Sequence, residues 1–156
     1  MITNNDVADA IAARIEETFA GETLYRAYKP SDFDRPSNLL EQVGGEMDAN
    51  YACNQVEFSP VYRITTFAPI DAYRQSDPTV LTARQYTLAG IFLPGYLRVR
   101  DRAVKLLDPI KMASGLDFAE LTVTLHYVVD RRELMDLVEA EPVGHIHIRT
   151  EVTSHG

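Results

Sequence analysis

The chain has 156 residues, 46% hydrophobic and 24% charged, with a formal net charge of −8 from 23 acidic and 15 basic side chains. That length fits one domain burying about two thirds of its extended surface, so no metal or disulfide staple is required. One cysteine excludes an intramolecular bridge and favours a reducing compartment, while the acidic balance argues against general binding to duplex nucleic acid or an anionic membrane.

The opening Met1-Ile2-Thr3-Asn4-Asn5-Asp6 has neither the basic start nor the apolar run of a signal peptide. No apolar stretch approaches the roughly 20 residues of a membrane helix. Val7, Ile11, Ile15 and Phe19 recur every four positions and predict a helix over 5–20, with Asn4 or Asn5 as its cap and Gly21 as its stop. Thr23–Tyr28 reads as a short strand ended by Lys29-Pro30. The stretch to Ser37 is turn-rich, because Pro30 and Pro36 each remove a backbone donor. Leu39–Val43 begins a second strand, with Gly44-Gly45 as a bulge before it resumes through Met47. Residues 48–54 are polar and read as a loop. Val56–Phe67 is a strand in which Pro60 predicts an edge position or a local break.

Asp77-Pro78 places a good cap before a proline at the first helical position and opens a helix through Phe92, closed by Pro94-Gly95 and packed beside the first. Tyr96–Arg102 alternates as one strand. Leu121, Val123, Leu125, Tyr127 and Val129 share the face opposite Thr122, Thr124, His126 and Val128. Asp108-Pro109 and Ser114-Gly115 are turn signals between these two strands. Residues 133–139 suggest a short helix, and 145–156 a final strand or extended arm. The whole, 1–156, reads as a single α/β (α+β) domain: a mixed, mainly antiparallel twisted sheet flanked by two main helices on one side.

Enzyme signatures are missing. His145 and His147 share a strand face and His155 lies nearby, yet no CxxC or HExxH accompanies them, so solvent-facing histidines are expected and no metal site. His126 has Asp101 and Asp130 as conceivable partners, but no GxSxG elbow exists and nothing near Cys53 would activate it. Gly44-Gly45 lacks the lysine and hydroxyl residue of a phosphate loop. No catalytic residue and no cofactor is expected. The basic run Arg98, Arg100, Arg102, Lys105 and Lys111 stands out in an acidic chain. On a regular strand Arg98, Arg100 and Arg102 would project from one face beside Tyr96, toward solvent, a neighbouring subunit or passing DNA. Eight tyrosines against no tryptophan also suit interfaces.

The opening Ile2-Thr3-Asn4 with Ile11-Ala12-Ala13-Arg14-Ile15, then Thr23-Leu24-Tyr25, Arg35-Pro36-Ser37 and Tyr62-Arg63-Ile64-Thr65-Thr66-Phe67, resembles the tail-terminator (tail-completion) proteins of phages and prophages. The likeness runs in element order over roughly 2–150 and departs from that pattern at Asn38-Leu39-Leu40-Glu41. It implies a structural protein, not an enzyme. Copies would form a ring, a hexamer, that caps the tail tube and joins it to the head connector. The implied partners are therefore itself, the tube protein and the connector protein. DNA would pass through the ring without sequence-specific binding, and no membrane is involved. Sheet edges and the loops 29–37 and 44–54 become candidate contacts, and Tyr96, Arg98, Arg100 and Arg102 would face a neighbour or the lumen. The implied location is the host cytoplasm during assembly and then the virion neck. Another neck or head-closure protein is the alternative within this class; a small enzyme or ligand-binding domain, with a pocket near His126 or Cys53, is the alternative outside it.

Overall fold

The computed structural model describes residues 1–140, the side chain of Asp108 excepted. The elements in chain order are α1 (Asn4–Thr18), β1 (Thr23–Arg26), β2 (Ser37–Ala52), β3 (Gln55–Phe67), α2 (Pro78–Gly90), β4 (Tyr96–Val99), β5 (Arg102–Ser114), β6 (Phe118–Asp130) and α3 (Arg131–Ala140). The six strands form one curled, mixed sheet in the order β1-β2-β3-β6-β5-β4. Only β1 and β2 pair in parallel; every other pair is antiparallel.

Strand β6 carries the expected alternation from Ala119 to Val129: odd positions are buried and even ones half-buried. Its odd face meets Val7, Ile11 and Ile15 of α1 and Leu88 of α2, together with Tyr62, Ile64, Leu97 and Val104, in one continuous core. The four-residue spacing in α1 thus puts its stripe on the sheet, as a 3.6-residue period requires. Tyr62 and Tyr127 reach the same point from neighbouring strands. The Tyr62 hydroxyl donates to the Asn4 carbonyl at 2.7 Å and that of Tyr127 to the Asn4 side-chain oxygen. Burial pushes both phenols up, Tyr127 to about 12, with the nearby Asp6 carboxylate adding to the effect there.

Several expectations need correction. The cap of α1 is Thr3, not Asn4 or Asn5: its hydroxyl accepts from the Asp6 N–H while the Asp6 carboxylate accepts from the Thr3 N–H at 2.8 Å. The predicted loop at 48–54 is largely strand. Antiparallel pairing carries β2 through Ala52 and leaves only Cys53-Asn54 as the turn. Pro60 is not on an edge, because β3 lies between β2 and β6, but the alternative, a local break, is present: the β3–β6 pairing skips Ser59 and Pro60. It sits opposite Gly45, where a Cβ would come within 3.0 Å of the Pro60 Cα. The bulge at Gln42/Gly44 and the bare glycine make room for it. Asp108-Pro109 falls inside β5, at a register shift between Leu107 and Lys111. Finally, the short helix expected at 133–139 forms as α3, follows β6 directly and exposes Met135 and Val138, so the arrangement is more than two helices flanking a sheet. The predicted strand or arm at 145–156 lies outside the described residues. No described helix is long and apolar enough to cross a membrane.

Candidate functional site

The basic stripe does not form as expected. Strand β4 ends at Val99, and Arg100-Asp101 make a tight turn in which Arg100 takes a left-handed φ of 56°. Pairing then places Arg98 opposite Ala103 and Val99 opposite Arg102. Paired residues share a face, so Arg102 falls on the helix side with Val99 while Arg98 stays on the open side. Arg102 donates to the Val128 carbonyl at 2.9 Å. Arg100 turns back to the start of α1 and donates to Asp6 at 2.9 Å. The Thr3 backbone N–H, and after it the Thr3 hydroxyl and the Arg100 guanidinium, hold the Asp6 carboxyl below the usual carboxylate range. Two of the three arginines are thereby engaged inside the subunit.

Arg98 is different. It is exposed and has no ion-pair or hydrogen-bond partner among the described residues. Tyr96, half exposed, lies on the same open face opposite Lys105, and Lys111 extends the positive strip along β5. The positive surface is therefore Arg98, Lys105 and Lys111 rather than a row of three arginines.

The opposite margin of the sheet is acidic. Parallel pairing with β1 covers only Ser37–Leu40 of β2, so 43–52 presents an uncovered strand edge. It carries Glu46 and Asp48 with the exposed apolar side chains Val43, Met47 and Tyr51. Sequence reasoning named 44–54 as a candidate contact but missed that it is a strand edge, because it read 48–54 as loop. The one available signal was the alternation through Glu46 and Asp48 that continues the strand.

The remaining candidates are scattered. Glu57, not Asp101 or Asp130, is the partner of His126, with Nε2 2.8 Å from Oε2 on the open face and Tyr51 edge-on to the ring at 6.3 Å. Cys53 is exposed at the hairpin turn. His145, His147 and His155 lie outside the described residues. Among the described residues no group of three or more His, Cys, Asp or Glu is placed to hold a metal ion. A cleft of about 200 Å³ lies between α2 and the β5–β6 turn, lined by Ser76, Leu81, Gln85, Gly115 and Ala119. A broad, open one of about 620 Å³ lies beside α3. Neither takes in His126 or Cys53.

Of the two candidate contact loops, 44–54 is the hairpin arm just described. The other, 29–37, is held down. The Lys29 ammonium lies 4.0 Å and the Arg35 guanidinium 4.6 Å from the Phe33 ring, and Phe33 packs on Phe67 at 4.6 Å. Helix α2 offers a further surface. Its charged residue, Arg84, is buried in an ion pair with Glu22, which leaves Thr79, Val80, Ala83, Tyr86 and Thr87 as an uncharged solvent face. Neither a protein-family model nor a curated protein sequence matches the chain.

Proposed function

We propose that the chain is a structural subunit that assembles with copies of itself, and that the assembly is the tail-terminator ring its sequence resembles. The observation that carries the self-assembling part is the pair of uncovered strand edges on opposite margins of one sheet, one acidic and one basic. An uncovered edge exposes unpaired backbone donors and acceptors that another strand can satisfy. Edges of opposite charge favour a head-to-tail contact, which closes into a ring or grows into a fibre according to its geometry.

The tail-specific part rests on the resemblance. On that reading α1 and α2 form the flank of each subunit's sheet and α3 adds to its end. The ring, a hexamer, seats on the tube protein and presents its other face to the head connector. It is built in the host cytoplasm and ends in the virion neck, with DNA passing through it unread. The uncharged α2 face, with Tyr86 64% exposed, and Leu93 just past the helix, 77% exposed, suit a packed protein neighbour better than solvent.

Electron microscopy of the purified protein mixed with headless tail tubes tests this. The expected image is a ring-shaped cap at one end of each tube. Bare tubes at saturating protein would contradict the tail reading.

A further inference from the structure

We infer that β2 and β4 are the two halves of one contact between copies of this chain: Glu46–Asp48 of one copy lies beside Tyr96–Arg98 of the next as a parallel strand edge. This deepens the self-assembly proposed above and rests on it.

Most of the sheet's margin is already occupied. On the outer side of β1, the 27–36 loop folds back so that Asp34 reaches Thr23 and Tyr25. Beyond its pairing with β4, β5 is broken by Pro109 and its register shift, and the Ala113 carbonyl accepts from Gln85 of α2 at 3.0 Å. What remains is β4 and β2 from Val43 to Asp48, beyond which the Ala49 carbonyl accepts from the Arg131 side chain and the register shifts. Neither stretch carries a lysine or proline of the kind that blunts an edge.

The two free stretches stand at the same height. Arg98 pairs with Ala103 and Leu97 with Val104. Across β6 and β3, Val128 pairs with Glu57 and Glu57 with Asp48, while Tyr127 pairs with Phe58 and Phe58 with Met47. The β5–β6 register of Lys105 with His126, continued, joins Ala103 to Val128 and Val104 to Tyr127. One row therefore runs from Arg98 to Asp48, and the next from Leu97 to Met47. Four antiparallel steps lead from β2 through β3, β6 and β5 to β4, so β2 and β4 run in the same sense along the sheet.

A shared row lets β4 of one copy lie beside β2 of the next in this register. The contact is head-to-tail, the kind that a ring closes by repeating. Charge selects the same register independently. Side chains of one row share a face, so Arg98 of one copy meets Asp48 of its neighbour. The Asn50 N–H already orients the Asp48 carboxylate through one oxygen at 2.9 Å and leaves the other for a guanidinium. Symmetric alternatives are disfavoured. Two β2 edges would juxtapose Glu46 and Asp48 with their own copies, and two β4 edges would juxtapose Arg98 with Arg98. Tyr96, 50% exposed, lies on the open face beside Glu46 of the neighbour, and Met47, 58% exposed, on the helix face beside Leu97, so each face gains apolar area to bury.

Adjacent strands lie about 4.8 Å apart, within the range a disulfide bridges. In a Cys53→Ser background, Asp48→Cys and Arg98→Cys are made singly and together, and oxidised at concentrations where the protein associates. The expected result is that a mixture of the two single variants gives only the mixed dimer. The doubly substituted chain gives a ladder ending in one closed species. Disulfides between two copies of the same single variant, or no mixed product, would overturn the inference; so would a chain that stays monomeric at every concentration. A chain that caps tubes without a 48–98 cross-link on them sinks the edge contact alone. A chain that cross-links into closed species and ignores tubes sinks the tail reading alone.

Discussion

The two ends of the sheet use their charges in opposite ways. At the end where β2 begins, Arg84 donates to Glu22 at 3.0 Å and to the Thr66 hydroxyl at 2.8 Å, with its guanidinium 4.4 Å from the Phe19 ring. Arg35 binds the Asp117 carboxylate and the Ala68 carbonyl, and Arg63 bridges Glu41 and Glu120. At the hairpin end, Arg98, Glu46 and Lys105 are exposed. Two of them, Arg98 and Glu46, lie on strand edges no other strand covers. Charged groups paired within the subunit hold its elements together; charged groups left on bare edges are free to choose a neighbour. The comparison separates stability from assembly, and each substitution should move one and spare the other.

The largest effect on folding is expected at Arg84. Arg84→Ala leaves the half-buried Glu22 and the buried Asn38 without their cation and should cost about 3 kcal/mol, read as a lower urea midpoint at unchanged slope. The double variant Arg84→Met with Glu22→Leu should recover much of that loss, because no lone charge remains. Tyr62→Phe removes one buried hydrogen bond to Asn4 and should cost about 1 kcal/mol. Two pH limbs follow. Asp6 is held low in the fold, so its contribution is present above its unfolded value and is lost as pH falls through the folded one; Asp6→Asn should flatten that acid limb. Tyr127 is raised to about 12, so its contribution is present below about pH 10 and lost as pH rises toward 12, where Tyr127→Phe should flatten the alkaline limb. The smallest effect on stability is expected from Arg98→Ala, within about 0.5 kcal/mol by the same urea titration.

Local chemistry was legible where it decides the outcome alone. Asp77 caps α2 ahead of Pro78 as read, and the alternation of β6 survives intact. It failed where pairing decides. Nothing local in Asp48–Ala52 demands a strand; β3 alongside imposes one. Arg100-Asp101 contains neither glycine nor proline, and Asp101 alone is a weak turn signal, so the turn that splits the basic run stands out only when Arg98 is seen paired with Ala103. Arg98, Arg100 and Arg102 were legible as a cluster but not as three separate fates. The acidic edge opposite them depends on register across five strands, which no single stretch of chain encodes.

Sedimentation equilibrium of four proteins tests the central claim: wild type, Asp48→Arg, Arg98→Asp and the double reversal. Assembly through oppositely charged edges predicts that the wild type exceeds the monomer mass, that each single variant falls to the monomer, and that the double variant regains the larger mass. Four identical masses would contradict it.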